Sequence, residues 1–388
     1  MISRAQAFMP RAYFSTETSS AASSVVVQAE SLRSFCAKIL KQSGSNAEES
    51  DIVASNLVES NLKGVDSHGV GYLPRYIRAA RAGDLKINTV PQLETSGSFV
   101  RVDGQVAYGQ VVGRIAMNAG IKVASELGVA IVTIKNSHHL GRIGAWAEQC
   151  VEKGFSSIHF TNVAGHHPLV APANGGDARL GTNPFTIGWS MNNSGPPIIM
   201  DYATSTQALG KVRETMARGE VCDEGVVLDH EGKPSTDPSV MFQDPSGALT
   251  PFLNHKGYSL ALMCELVGGV LSGGTTINPK HKRHQEMILN SMTTIIISPE
   301  ACLGGDASGI EHAEAEVQEL KDYMKGSPVL DGKKEIVMPG EPEASMFDYR
   351  TEHGIPLAAG TLNDLVLVAS DLGITKDEAC RTLDLLGL

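Results

Sequence analysis

Residues 129–134 read Val-Ala-Ile-Val-Thr-Ile, an unbroken run of apolar and β-branched side chains, and Asn-Ser-His-His-Leu-Gly comes soon after. Such a run suits a buried strand, and the turn residues behind it mark where the strand stops. The stretch in front, GQVVGRIAMNAGIKVASELG, spaces apolar residues every three or four positions and closes on Gly128, which predicts a helix feeding the strand. A helix delivered straight into a buried strand commits the middle of the chain to a sheet covered by helices. His138 and His139 then lie just past the strand's carboxyl end, where ligands collect in open α/β sheets.

The neighbouring segments extend the pattern. FSSIHFTN, PFTIGWS, PIIMD and MTTIIISPE read as further strands. KGYSLALMCELVGGVLSGG, residues 256–274, is apolar nearly all round and is expected to be a buried helix. Residues 28–63 are helical in pattern; Asn46 caps the second helix, with Glu49 in capping-box spacing. VDSHGVGYLPRYIRAA is a loop re-entering a helix near Pro74. Residues 311–325, 343–352, 361–372 and 376–386 read as helices. The expected fold is α/β: a mainly helical domain, 28–108 together with 310–388, packs around an inserted domain, 109–309.

Composition excludes several classes. The 388 residues carry a net charge of −11, which disfavours nucleic acid and anionic membranes as partners. The one basic cluster, PKHKRH at 279–284, reads as a solvated loop. The six cysteines form no CxxC pair and no cluster, so neither a disulfide framework nor a structural metal is expected. No run of 18 apolar residues occurs. In residues 1–25, Arg4 and Arg11 precede the first acid, Glu17, and the segment is rich in Ser, Thr and Ala. That is transit-peptide composition, and RAYFST resembles a mitochondrial processing site. The expected address is the mitochondrial matrix; a leader without an address would leave the protein cytoplasmic.

No GxGxxG comes after a strand, and GxxxxGK[ST], HExxH and GxSxG are absent, which argues against a Rossmann site and a P-loop. Six motifs occur in order instead: DSHG running into LPRY, NSHHLG, LGTNPF, MDYATS, HKGYSLALMCELVGGVLSGG and MPGEPE. The ordered set resembles the type-2 malate/L-lactate dehydrogenase family, over roughly residues 30–388. Ureidoglycolate dehydrogenase, diketogulonate reductase and cyclic imine reductases belong to the same family. The resemblance implies a non-Rossmann NAD or NADP site, a small-molecule 2-hydroxy or 2-keto acid substrate, and a homodimer or larger homo-oligomer.

It also implies roles for residues. His139 stands at the family's catalytic histidine and would take the hydroxyl proton, for which an imidazole is well poised; His138 is structural. The rival is His68, which with Ser67 and Asp201 would form an Asp–Ser–His relay. As bare sequence, Asp66 and Ser67 also read as helix caps. Many members carry an arginine four residues after this histidine; here the place is Tyr72, with Arg75 and Tyr76 the nearest substrate-side substitutes. Thr182 and Asn183 fall on the nicotinamide side. Asn162, Asp201, Tyr202, Ala203, Thr204, Ser205, Lys256, Gly257, Pro339, Gly340 and Glu341 are expected at the cofactor. A lysine at the start of a buried helix requires an anion, for which a phosphate is the natural partner. Two other classes fit less of the pattern: a hydrolase built on Ser67 and His68, and a non-catalytic nucleotide-binding relative.

Overall fold

The structure, a computed structural model, describes residues 24–385 apart from 192–194, 282, 283, 285 and 331–334. The leader assigned to residues 1–25 lies outside the described residues up to position 23. Ser24 and Val25 already belong to a strand, Ser24–Val27, which pairs antiparallel with Ile355–Ala358.

The main helices are, in chain order, α1 (Ala29–Gln42), α2 (Ala47–Leu62), α3 (Leu73–Ala82), α4 (Gly109–Leu127), α5 (Gly144–Val151), α6 (Leu209–Ala217), α7 (His255–Met263), α8 (Ala307–Lys325), α9 (Glu341–His353), α10 (Ala359–Asp371) and α11 (Lys376–Thr382). Asn46 caps α2 as expected, accepting the Glu49 N–H at 2.9 Å. The reciprocal half of the capping box does not form, because Glu49 turns away to accept the Asn88 N–H. Asn88 in turn accepts the Asn46 N–H at 2.7 Å. Leu32, Phe35, Leu57, Leu73 and Tyr76 from the N-terminal helices share one core with Ile355, Leu357, Leu365 and Ala369 near the C-terminus.

A seven-stranded mixed sheet forms the second body. Its strands are β1 (Gln92–Ser96), β2 (Phe99–Asp103), β3 (Val129–Ser137), β4 (Ser156–Ala164), β5 (Phe185–Trp189), β6 (Ile198–Tyr202) and β7 (Leu289–Ile297), in spatial order β1-β2-β3-β7-β4-β5-β6. Only β2 and β3 run parallel; the other neighbours are antiparallel. β7 enters the middle of the sheet from far along the chain. α4 and α5 cover one face, burying Val112, Met117 and Trp146 against Val132, Ile134 and Ile296.

Three expectations change. Residues 92–103, grouped by sequence with the helices, are two strands of this sheet. β1 is exposed at every position and so carries no burial alternation to read. α8, grouped with the helical domain, contributes nothing to that domain's core; among its residues only Lys321 is buried. The apolar helix at 256–274 is not buried throughout. α7 continues as a π-helix over Cys264–Val270, whose Glu265, Gly268 and Gly269 turn inward. Met263, Leu266, Val270 and Leu271 stay exposed, because apolar residues all round a helix need not all find cover within one chain.

His159 sits fully buried in the middle of β4, between the hydroxyls of Ser157 at 2.8 Å and Thr294 at 2.9 Å. Burial pushes its pKa down to about 3, whereas an unfolded histidine titrates near pH ~6.5. Below pH ~6.5 the unfolded chain therefore binds a proton that the folded chain refuses, so this contribution to stability is complete above that pH and is lost as the pH falls toward 3. His159→Gln is expected to flatten the acid decline in unfolding free energy by up to about 1.4 kcal/mol per pH unit. Urea denaturation at pH 7, 5.5 and 4.5 measures it; an unchanged slope would contradict a neutral buried imidazole.

Candidate active site

The loop after β3 is braced from several directions. Asn136 takes a left-handed turn with φ 51° and its amide faces the Asp103 carboxylate. The His138 N–H donates to the Ala107 carbonyl at 3.1 Å, and the Leu140 N–H to Asn290 Oδ1 at 2.8 Å. Trp146 Nε1 donates to the Leu140 carbonyl at 3.1 Å. Gly109 lies so close beneath that a Cβ there would stand 2.1 Å from the His139 carbonyl oxygen. Arg142, 4 % exposed, donates to both Glu148 oxygens at 2.9 and 2.5 Å, and Lys63, at the end of α2, adds a second cation at 2.6 Å.

The second loop is short. Asp66–His68 and Val70–Tyr72 are two 3-10 turns leading into α3. Asp66 makes no cap; it accepts from Asn61 Nδ2 at 2.6 Å and from Arg350 of α9 at 2.8 and 3.0 Å. Asn61 Oδ1 accepts the Val70 N–H at 2.8 Å, and a Cβ at Gly69 would run into the Asn61 side chain at 2.2 Å. The turn therefore requires glycine there for space.

These loops bring three rings together. His68 and His139 stack with centroids 5.5 Å apart and planes 22° apart, and Tyr72 stacks on His139 at 4.4 Å. Ser67 Oγ lies 3.0 Å from His68 Nδ1. The Tyr76 hydroxyl lies 2.7 Å from His139 Nδ1 and accepts Gln110 Nε2 at 2.9 Å. Neither Nε2 atom makes a hydrogen bond with the described residues. Two imidazoles thus face one another with their outer nitrogens uncommitted.

Their electrostatics differ. Burial lowers the pKa of His68, but the Asp201 carboxylate opposes that shift. His139 is held well below the usual histidine range, first by burial and then by the positive potential of His68, His138 and Arg75. Burial takes His138 down to about 3, and this ring packs edge-on against Tyr76. Of the two facing imidazoles, only His68 has a carboxylate supporting its charged form.

A family model for malate/L-lactate dehydrogenase matches residues 27–366. The chain belongs to the malate/L-lactate dehydrogenase family. It is 42% identical over 351 residues to the hydroxycarboxylate dehydrogenase B of Escherichia coli (strain K12), covering 90% of this chain and 95% of that one. It is 38% identical over 318 residues to an L-lactate dehydrogenase of Cupriavidus necator, covering 81% and 89%. Among solved structures, the malate dehydrogenase of Pyrococcus horikoshii OT3 superposes with a TM-score of 0.77 at 29% identity, covering 91% of this chain and 97% of that one. Of the activities weighed from sequence, membership of this family makes the chain a dehydrogenase and leaves no ground for the hydrolase.

The family motifs do not all point into a site. Asn183 is fully buried: Oδ1 accepts the Val163 N–H, and Nδ2 donates to the Ala261 carbonyl and to Glu265. Asn162 is equally enclosed, donating to the Thr275 carbonyl and accepting the Ser291 N–H. Both serve Glu265, a buried carboxylate that also takes the Ile277 N–H at 2.5 Å. Thr204 Oγ1 donates to the carbonyls of Thr182 and Asn183, and Ser205 Oγ to that of Gln207, so both of these hydroxyl protons are spent on the protein. Ala203 is the half-buried link between the exposed Tyr202 and Thr204. Asp201 accepts from Gly144 N at 2.7 Å and Thr186 Oγ1 at 2.6 Å, so it reaches His68 by charge and not through a hydrogen bond to Ser67.

The remaining expectations divide as well. Lys256 is exposed, so the argument from a buried cation fails, although it makes no ion pair with the described residues. Gly257 instead packs against Phe252, whose carbonyl lies 2.3 Å from where a Cβ would be. Pro339, Gly340 and Glu341 dock on β6: the Ile199 N–H donates to the Pro339 carbonyl, and Glu341 pairs with Lys325 at 2.6 Å. Arg75 lies 3.8 Å from Glu286 and acts on the Tyr72 hydroxyl by charge. Sequence reasoning passed over Arg350, Gln110, Arg142 and Glu265. The partners of Arg350, Gln110 and Glu265 lie far along the chain, Arg142 pairs with Glu148 outside any motif, and the one local signal was a glutamate inside an apolar helix.

Gly109→Ala tests the bracing of the histidine loop. The added methyl must displace the His139 backbone, and a shift near 1 Å costs about 100-fold in kcat/KM. Steady-state kinetics on the folded variant measures it, and wild-type activity would contradict the position assigned to this loop.

Proposed function

We propose that this protein transfers hydride between NAD or NADP and a small 2-hydroxy/2-keto acid, with His68 and His139 facing the substrate oxygen. The observation that carries the reading is the stacked histidine pair with both Nε2 atoms uncommitted. Relatives named for hydroxycarboxylate, L-lactate and L-sulfolactate support the substrate class. The nicotinamide supplies the hydride chemistry. Residues that fit such a cofactor are the uncommitted Lys256 for a phosphate, the exposed Tyr202 ring, and Gln207, whose buried Oε1 has no partner and would accept a ribose hydroxyl or amide N–H.

Within that reading the proton belongs to His68. Asp201 favours its charged form, and Ser67 holds Nδ1 so that Nε2 points outward. This reverses the order expected from sequence, where His139 was the working base. Tyr72 stands where many relatives carry a carboxylate-binding arginine, and Arg75 behind it supplies the positive potential for a substrate carboxylate. A keto-sugar acid, ureidoglycolate or a cyclic imine is the alternative substrate.

The test measures NADH and NADPH oxidation with pyruvate, oxaloacetate, 2,3-diketogulonate and a cyclic imine. It then records the pH dependence of hydroxy-acid oxidation for the wild type and Asp201→Asn. Oxidation needs the base unprotonated, so its rate rises with pH through the His68 pKa. Removing the carboxylate lowers that pKa, and the rise is expected to move to lower pH. No turnover with any pair would overturn the dehydrogenase assignment to these substrates; an unmoved profile would overturn the role of His68.

The exposed stripe Met263, Leu266, Val270 and Leu271 supports a homodimer in which a second copy covers it. Sedimentation velocity is expected to show twice the 41.1 kDa chain mass, and Leu266→Glu with Val270→Glu to dissociate it. A monomeric wild type would overturn the dimer.

A further inference from the structure

Tyr76 and Gln110 are buried completely, and their hydrogen bonds end on a single atom, His139 Nδ1. Gln110 is the first link. Its amide nitrogen can only donate, so it occupies a lone pair of the Tyr76 oxygen at 2.9 Å. The tyrosine's own proton then has one acceptor within reach, His139 Nδ1 at 2.7 Å. An imidazole that accepts at Nδ1 and is neutral carries its proton on Nε2.

We infer that Tyr76 and Gln110 are positioning residues that hold His139 as the Nε2–H tautomer. His139 therefore meets the substrate oxygen as a neutral hydrogen-bond donor and not as a base. This rests on the reading above, in which the uncommitted Nε2 faces the substrate. An alcohol proton cannot move to a nitrogen that already carries one, so it passes to His68 Nε2, in the tautomer whose Nδ1–H donates to Ser67 Oγ. The His139 N–H instead stabilises charge developing on the oxygen in either direction of reaction.

The surroundings agree. The groups facing His139 are His138 on its own loop, His68 and the stacked Tyr72 on the turns before α3, Arg75 and Tyr76 on α3, Gln110 on α4, and His166. None is a carboxylate, so an imidazolium has no counter-ion among these groups. Were Nδ1 to donate instead, Tyr76 would receive two donors and its own proton would be left buried without an acceptor, a costly arrangement. Reversing the Gln110 amide would remove that cost, since its oxygen could take the tyrosine proton. In the structure the amide nitrogen faces Tyr76, while Gln110 Oε1 is buried without a partner, so the variants below decide between the two orientations.

Long-range proton–nitrogen NMR of the full chain carrying 15N-histidine, without substrate or cofactor, reads the tautomer directly. Loss of signals in His139→Gln assigns them. The expected wild-type pattern is an unprotonated Nδ1 and a protonated Nε2. Tyr76→Phe removes the donor and is expected to shift His139 toward Nδ1–H. If that variant does not fold, Gln110→Leu frees the Tyr76 lone pair and is expected to give a mixture of the two tautomers. A wild-type Nδ1–H pattern, or a tautomer unchanged in whichever variant folds, would overturn the inference. Because the readout needs no turnover, its failure is distinguishable from failure of the dehydrogenase reading.

Discussion

The buried cluster of Arg142, Glu148 and Lys63 governs where the two halves of the site meet. A guanidinium 4 % exposed is tolerable only with its carboxylate in place, and that carboxylate takes a second cation from the end of α2. The cluster therefore sets the histidine loop of the sheet against the helical core to within the tolerance of a bidentate ion pair. Arg350 does the same for the other loop, joining a helix near the C-terminus to Asp66 across 284 residues of sequence. With both clamps formed, His68 and His139 stack. With either broken, their separation is no longer determined.

Strands were the most legible elements. The runs 129–134, 155–162 and 292–300 announced themselves through β-branched residues because β3, β4 and β7 are central strands, enclosed on both sides. β1 was silent because an exposed edge strand needs no apolar alternation. Asn46 was legible as a cap because capping is local. Glu49 was misassigned because a residue 39 positions away outcompeted the local partner.

Motifs were legible as positions but not as roles. NSHHLG and DSHG do come together, and ring stacking measures how closely. Asn162, Asn183, Thr204 and Ser205 looked like ligands because polar residues at strand ends often are. Asn162 and Asn183 bond the buried Glu265, while Thr204 and Ser205 bond nearby carbonyls, and nothing in one sequence separates this use from ligand binding. The two histidines likewise look equivalent in the sequence. What distinguishes them is that Asp201 acts on one, while Tyr76, three other histidines and Arg75 act on the other.

The central claim is that one substrate oxygen sits between two histidines that do different work. The most direct measurement is a crystal structure of the protein with NADH and oxamate, a non-reacting 2-keto acid mimic. The account predicts the oxamate amide oxygen within hydrogen-bond reach, about 2.6–3.2 Å, of both His68 Nε2 and His139 Nε2. An oxamate bound with that oxygen beyond reach of both histidines would contradict it.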